Sequence, residues 1–145
     1  MAVIPPPAVH GFKRVESITA LGVTISRRFS VTEHVDNLSA ACAQTLFALS
    51  TLRQHGLPNS ALHVIFQSTV IAKLPYASPA WWGSTNVSDR ARLEAFLRRS
   101  TKFGYRDASS PSLSSICDAA DDKLFNNILR NARHLLHPLL PPERI

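Results

Sequence analysis

Arg92, Arg98, Arg99 and Lys102 recur at spacings that gather them on one side of a helix, and what such a set of cations can do is hold phosphates. At about 100° per residue, Leu93, Phe96, Leu97 and Ser100 fall on the other side, and Arg90 and Arg106 flank the run. Only Glu94 interrupts the positive charge. An ordinary solvated face mixes both signs, which is the competing expectation here. A cationic face of this kind matches phosphate spacing without reading base edges. It therefore predicts a surface that positions a duplex without selecting its sequence.

Other residues carry weaker signals. Asp121 and Asp122 are adjacent carboxylates, the pair that two-metal phosphoryl chemistry uses. That chemistry needs a tight hairpin and a third carboxylate from another strand. The pair here is instead predicted to open a helix, where the dipole favours acids. His134 and His137 are spaced to share a helical face, but no further ligands accompany them, so no metal is expected. No Ser-His-Asp or Cys-His set has supporting context. The glycines are isolated, so there is no phosphate-cradling loop, and no cofactor is expected. Tyr76, Trp81 and Trp82 could stack on bases, but aromatics between Pro75 and Pro79 at a helix junction are expected to fill core, with Trp82 the most exposed.

The elements that must position these groups can be read from the whole chain. Its 145 residues suit one domain, and 45% hydrophobic against 18% charged content is a globular balance. Sixteen Lys and Arg against 10 Asp and Glu give a net charge of +6, which favours an anionic partner such as nucleic acid. Cys42 and Cys117 fall at apolar helical positions and are expected as buried free thiols. No signal peptide or membrane-spanning run is visible, so the expectation is an intracellular chain without a membrane partner, and the sequons at Asn37 and Asn86 are chance matches.

Residues 1–11 are a proline-rich lead-in, expected to be disordered or extended. Residues 12–28 read as β, with Leu21, Val23 and Ile25 alternating inward against Gly22 and Thr24, and Val15 to Ile18 a possible partner strand. Helices follow over residues 29–140, and 141–145 form a tail. The first runs from Thr32 to His55, capped by Ser30 or Thr32, with a stripe of Val35, Leu38, Cys42, Leu46, Leu49 and Leu52. The second, from Pro58 to Leu74, is apolar nearly all round and is expected at the centre of the domain. The third spans Val87 to Phe103, with Ser88 as its cap and Gly104 as its stop. A short helix near 113–119 and a longer one over 121–136 complete a mostly α fold: a bundle of four to five helices with one or two short N-terminal strands.

Several motifs occur in a suggestive order. Leu21-Gly22-Val23-Thr24-Ile25 resembles the Leu-Gly-Val box that ends the palm of reverse transcriptases of non-LTR (LINE-type) retrotransposons, with Leu21, Gly22 and Val23 in primer-grip-like positions. Glu33-His34-Val35 resembles the Trp-x-x-His-Ile/Val element that starts their thumb. The runs Ala43 to Leu52 and Leu62 to Ala72, then Leu74-x-Tyr76-Ala77-x-Pro79-x-Trp81-Trp82, Leu93-Glu94-x-Phe96-Leu97-Arg98-Arg99 and Gly104-Tyr105-Arg106 resemble its helices. The likeness covers Val15 to Leu140. It departs where Thr19 and Ala20 replace a lysine and a bulky residue, and where Phe29-Ser30-Val31 replaces Leu-x-Trp. Ala119 also stands where the family's metal-binding box has an aromatic, and Asp121-Asp122 comes after the Leu-Gly-Val box instead of before it.

The resemblance implies a thumb-like unit that holds template–primer nucleic acid, duplex or RNA–DNA hybrid, with the catalytic carboxylates belonging to a palm upstream of Met1; this agrees with the basic face of Arg90, Arg92, Arg98, Arg99, Lys102 and Arg106 read independently from the spacing. On that reading the chain is a fragment of a transposon-encoded polymerase and no enzyme by itself. The alternative is a helical protein–protein interaction module whose basic face is incidental.

Overall fold

The computed structural model describes residues 6, 7 and 9–141. The expectations for 1–5 and 8 in the lead-in and for 142–145 in the tail lie outside the described residues.

The β region is a single hairpin. Strand β1 (Ser17–Ala20) pairs antiparallel with β2 (Val23–Ser26), in the register Ala20↔Val23 and Ile18↔Ile25. Leu21 and Gly22 form the two-residue turn, both with positive φ (49° and 83°), as a turn matching the right-handed twist of the strands requires. The turn corrects two expectations. Leu21 lies outside the strand and is 91% exposed at the tip. The burial does not alternate either, because Val23 and Thr24 are both buried and Ile25 only half-buried.

Helix α1 (Thr32–Gln54) starts without a side-chain cap: Val31 occupies the N-cap, Ser30 and Thr32 bond each other, and the Thr32 hydroxyl is drawn to Asp89. The predicted stripe is buried at Val35, Leu38, Cys42 and Leu49, while Leu46 is half-buried and Leu52 exposed. Gly56, at φ 88°, ends it.

Helix α2 (Asn59–Phe66) continues through a π-helical segment, Gln67–Ile71. There the hydroxyls of Ser68 and Thr69 both donate to the Ile65 carbonyl, competing with the backbone for that acceptor. Leu62, Phe66, Val70 and Leu74 form its buried row, but Val64, Gln67 and Ser68 face solvent. The segment is therefore buried along one side, not all round.

A short helix, α3 (Ser78–Trp81), follows Ala77 in the left-handed conformation (φ 51°), and the Trp81 indole N–H donates to Tyr76 O at 2.9 Å. Helix α4 spans Val87–Lys102, and α5 spans Leu113–Arg130 as one continuous helix. Asp121 and Asp122 therefore lie inside α5 instead of opening a helix. His134 and His137 lie beyond its end, in turns and a 3₁₀ segment, so they share no α-helical face. The shared core runs from Val23 and Val31 through Val35, Leu62, Phe66 and Trp81 to Leu93, Leu97 and Leu113. Cys42 and Cys117 are buried free thiols within it, and burial pushes both up to about 11. The fold is mostly α with a short N-terminal hairpin. Among the described residues, no helix is long and apolar enough to cross a membrane.

Candidate nucleic-acid interface

Helix α4 is fixed at both ends before its cations are considered. The Asn86 side chain accepts the Asp89 N–H at 2.7 Å and caps the first turn, where Ser88 was expected to do so. At the other end, carbonyls that α4 cannot satisfy internally take donors from other helices. Arg53 Nη1 donates to Phe103 O at 2.8 Å, and His63 Nε2 lies 2.7 Å from Gly104 O. Gly104 itself turns at φ 74°.

The predicted cations then separate into two groups. Arg92 is exposed but paired: Nη1 donates to Asp36 on α1 and Nη2 to Asp89, each at 2.7 Å. Those bonds raise its pKa above the usual guanidinium value. Asp89 is 2% exposed and also accepts the Thr32 hydroxyl at 3.0 Å, so this carboxylate joins the starts of α1 and α4. Arg90 lies with its guanidinium 4.7 Å from the Trp82 ring centroid and donates to Thr85 Oγ1 and Trp82 O. Arg106 is buried, bonded to the Pro111 carbonyl, and desolvation lowers its pKa despite the nearby Glu94. Arg98, Arg99 and Lys102 remain exposed, without an ion pair among the described residues. They are the part of the face able to reach a phosphate unchanged.

Glu94, the single acid in the run, accepts the Ser114 N–H at 2.8 Å. Ser114 lies in the first turn of α5, where N–H groups lack helical partners, so Glu94 serves the α4–α5 junction.

The primer-grip-like positions sit elsewhere. Leu21 forms the hairpin tip, and Val23 packs into the core. A Cβ on Gly22 would lie 3.5 Å from the Tyr76 ring, and the Tyr76 hydroxyl donates to Leu21 O at 3.4 Å. Beneath the hairpin, Thr19, Gly22, Thr24, His34, Asn37, Lys73 and Tyr76 help to line a cavity of about 400 Å³. His34 forms its buried wall: Nδ1 accepts the Thr24 N–H at 3.5 Å, the ring meets Trp81 edge-on at 5.0 Å, and burial lowers its pKa. Trp82 is buried, against the expectation that it would be the most exposed of the three aromatics; Tyr76 takes that place at 58%. Trp82 belongs to the core, edge-on to Trp81 at 5.9 Å, with the Arg90 guanidinium over its ring.

No family model, curated protein or solved structure matches the chain. Among the described residues, no three His, Cys, Asp or Glu side chains group as metal ligands.

Sequence reasoning missed Phe47, Arg53 and Phe103. With Ala43, Leu46, Ser50, Phe96, Arg99 and Tyr105 they line a groove of about 520 Å³ between α1 and α4. A signal was present: Phe47 lies one residue off the buried stripe of α1, a large ring placed where the helix faces out.

Proposed function

We propose that this chain is a nucleic-acid-holding helical unit, of the kind that follows the palm in non-LTR reverse transcriptases, and that it carries out no polymerisation itself. The observation that carries the reading is the face of Arg98, Arg99 and Lys102, exposed and free of acidic partners among the described residues while neighbouring cations are bound within the fold. Two further features support it. The motifs that resemble the family's palm-to-thumb junction meet in space, with His34 contacting both Thr24 and Trp81. The chain's net charge of +6 also favours a polyanion. Contact through long cations without base-edge readout makes the expected partner a duplex or RNA–DNA hybrid of any sequence.

The test is a titration of labelled RNA–DNA hybrid with the full chain and with the Arg98→Ala/Arg99→Ala/Lys102→Ala variant. Binding by the first and its loss in the folded second are expected; equal binding by both overturns the assignment. Primer extension by a preparation free of other polymerases would contradict the non-catalytic part.

A second reading, a helical protein-interaction module, draws on the exposed rings of Phe47 and Phe103.

A further inference from the structure

The cationic face borders an apolar, aromatic groove. Ala43, Leu46 and Phe96 contribute apolar surface to it, Phe47 (76% exposed) and Phe103 (56% exposed) stand along it, and Arg99 reaches it from α4. Arg53 lies with its guanidinium 4.0 Å from the Tyr105 ring centroid, so it belongs to the groove's wall. A second concavity, lined by Ser39, Ala40, Arg92, Ala95 and Arg98, shares Ala43, Phe96 and Arg99 with the first. The groove thus extends along α4 beside Arg98 and Arg99.

We propose that this groove takes unstacked bases of a single-stranded nucleic acid, with the adjoining phosphates along Arg98, Arg99 and Lys102. The proposal deepens the phosphate-contact reading and rests on it. Bases within a duplex are stacked on one another and cannot offer their faces to a phenyl ring; those of a single strand can. Positive charge tracking the backbone beside exposed aromatics is the combination that single-strand binding uses, and it tolerates any sequence because every base has a π-face. Charge complementarity selects the occupant. A neutral apolar helix would fill the groove but leave Arg98, Arg99 and Lys102 unused, whereas a single strand engages both surfaces.

The experiment measures anisotropy of a labelled oligothymidylate and of a mixed-sequence duplex with equal phosphate count, using the full chain. The variants are Phe47→Leu/Phe103→Leu, which keeps apolar bulk but removes the aromatic faces, and Arg98→Ala/Arg99→Ala/Lys102→Ala, each checked by thermal melting. The leucine variant should bind the single strand about tenfold or more weakly and the duplex unchanged. Unchanged single-strand binding, or equal loss for both ligands, overturns the groove proposal while leaving the phosphate reading intact. Undiminished binding of both ligands by the alanine variant overturns both. Tight binding of an acidic amphipathic peptide, with no oligonucleotide bound, overturns both in favour of a protein partner.

Discussion

Arg92 on α4 donates to Asp36 on α1 at 2.7 Å, and this bond pairs with an acid a residue that helical periodicity assigns to the cationic face. The same guanidinium also bonds Asp89 within α4, so Arg92 crosses to α1 through Asp36 alone and holds two carboxylates of unequal burial.

That inequality makes a prediction. Asp36 is half exposed, and such a pair contributes at most about 1 kcal/mol. Asp89 is buried, and a charge-assisted bond to it is worth about 1.5–3 kcal/mol. Urea unfolding should therefore show Asp36→Ala costing less than about 1 kcal/mol and Arg92→Ala costing about 1.5–3 kcal/mol. The reverse order would mean that the Arg92–Asp89 bond is not the one that matters.

His34 predicts a pH dependence. Burial lowers its pKa below the ordinary value of 6.5, so the unfolded chain takes up the proton more readily than the folded one. Its contribution is fully present above about pH 6.5. It is lost as pH falls from there towards the lowered folded value, and is constant below that. Thermal melts at pH 8 and pH 5 should show this loss in the parent chain. It should be reduced in His34→Asn, which can still accept the Thr24 N–H but does not titrate. Parallel slopes would contradict the assignment.

The cysteines predict slow chemistry. Both thiols are buried and pushed up to about 11, so little reactive thiolate is present at pH 8. A thiol-reactive chromophore should titrate neither Cys42 nor Cys117 in the native chain and both after denaturation. Rapid native labelling of either would contradict the packing described for α1 or α5.

The hairpin predicts a pattern of amide exchange. Val23 and Ile25 pair with β1, and the outward N–H of Thr24 is taken by His34, so β2 should be protected along its length. The outward N–H of Thr19, on the exposed strand β1, should exchange fast. Slow Thr19 exchange would indicate that a further strand covers this edge. Leu21→Asn, which suits the left-handed turn conformation better, should raise stability by up to about 1 kcal/mol.

Much of the fold was legible because its signals are local. Gly56 and Gly104 ended helices where glycine was needed, and Val35, Leu38, Cys42 and Leu49 declared a buried stripe. What failed was decided between elements. Ser88 is a good cap by type, but Asn86 reaches the Asp89 N–H. Leu21 fits an alternating strand, but the turn requires two residues with positive φ, and it is one of them. The partners of half of the candidate interface are likewise set between elements. Periodicity placed Arg92 on the cationic face and put Arg90 and Arg106 at its edges, but it could not show that Asp36, Trp82 and the Pro111 carbonyl lie within their reach.

The central claim is most directly tested by the salt dependence of binding. Each phosphate neutralised contributes about 0.7–0.9 to the slope of log K against log salt. Replacing Arg98, Arg99 and Lys102 together by alanine should lower the slope for an RNA–DNA hybrid by about 2–3. Arg90→Ala and Arg106→Ala, whose cations are held within the fold, should leave it unchanged. A slope unaltered by the triple substitution in a folded protein would show that this face does not hold nucleic acid.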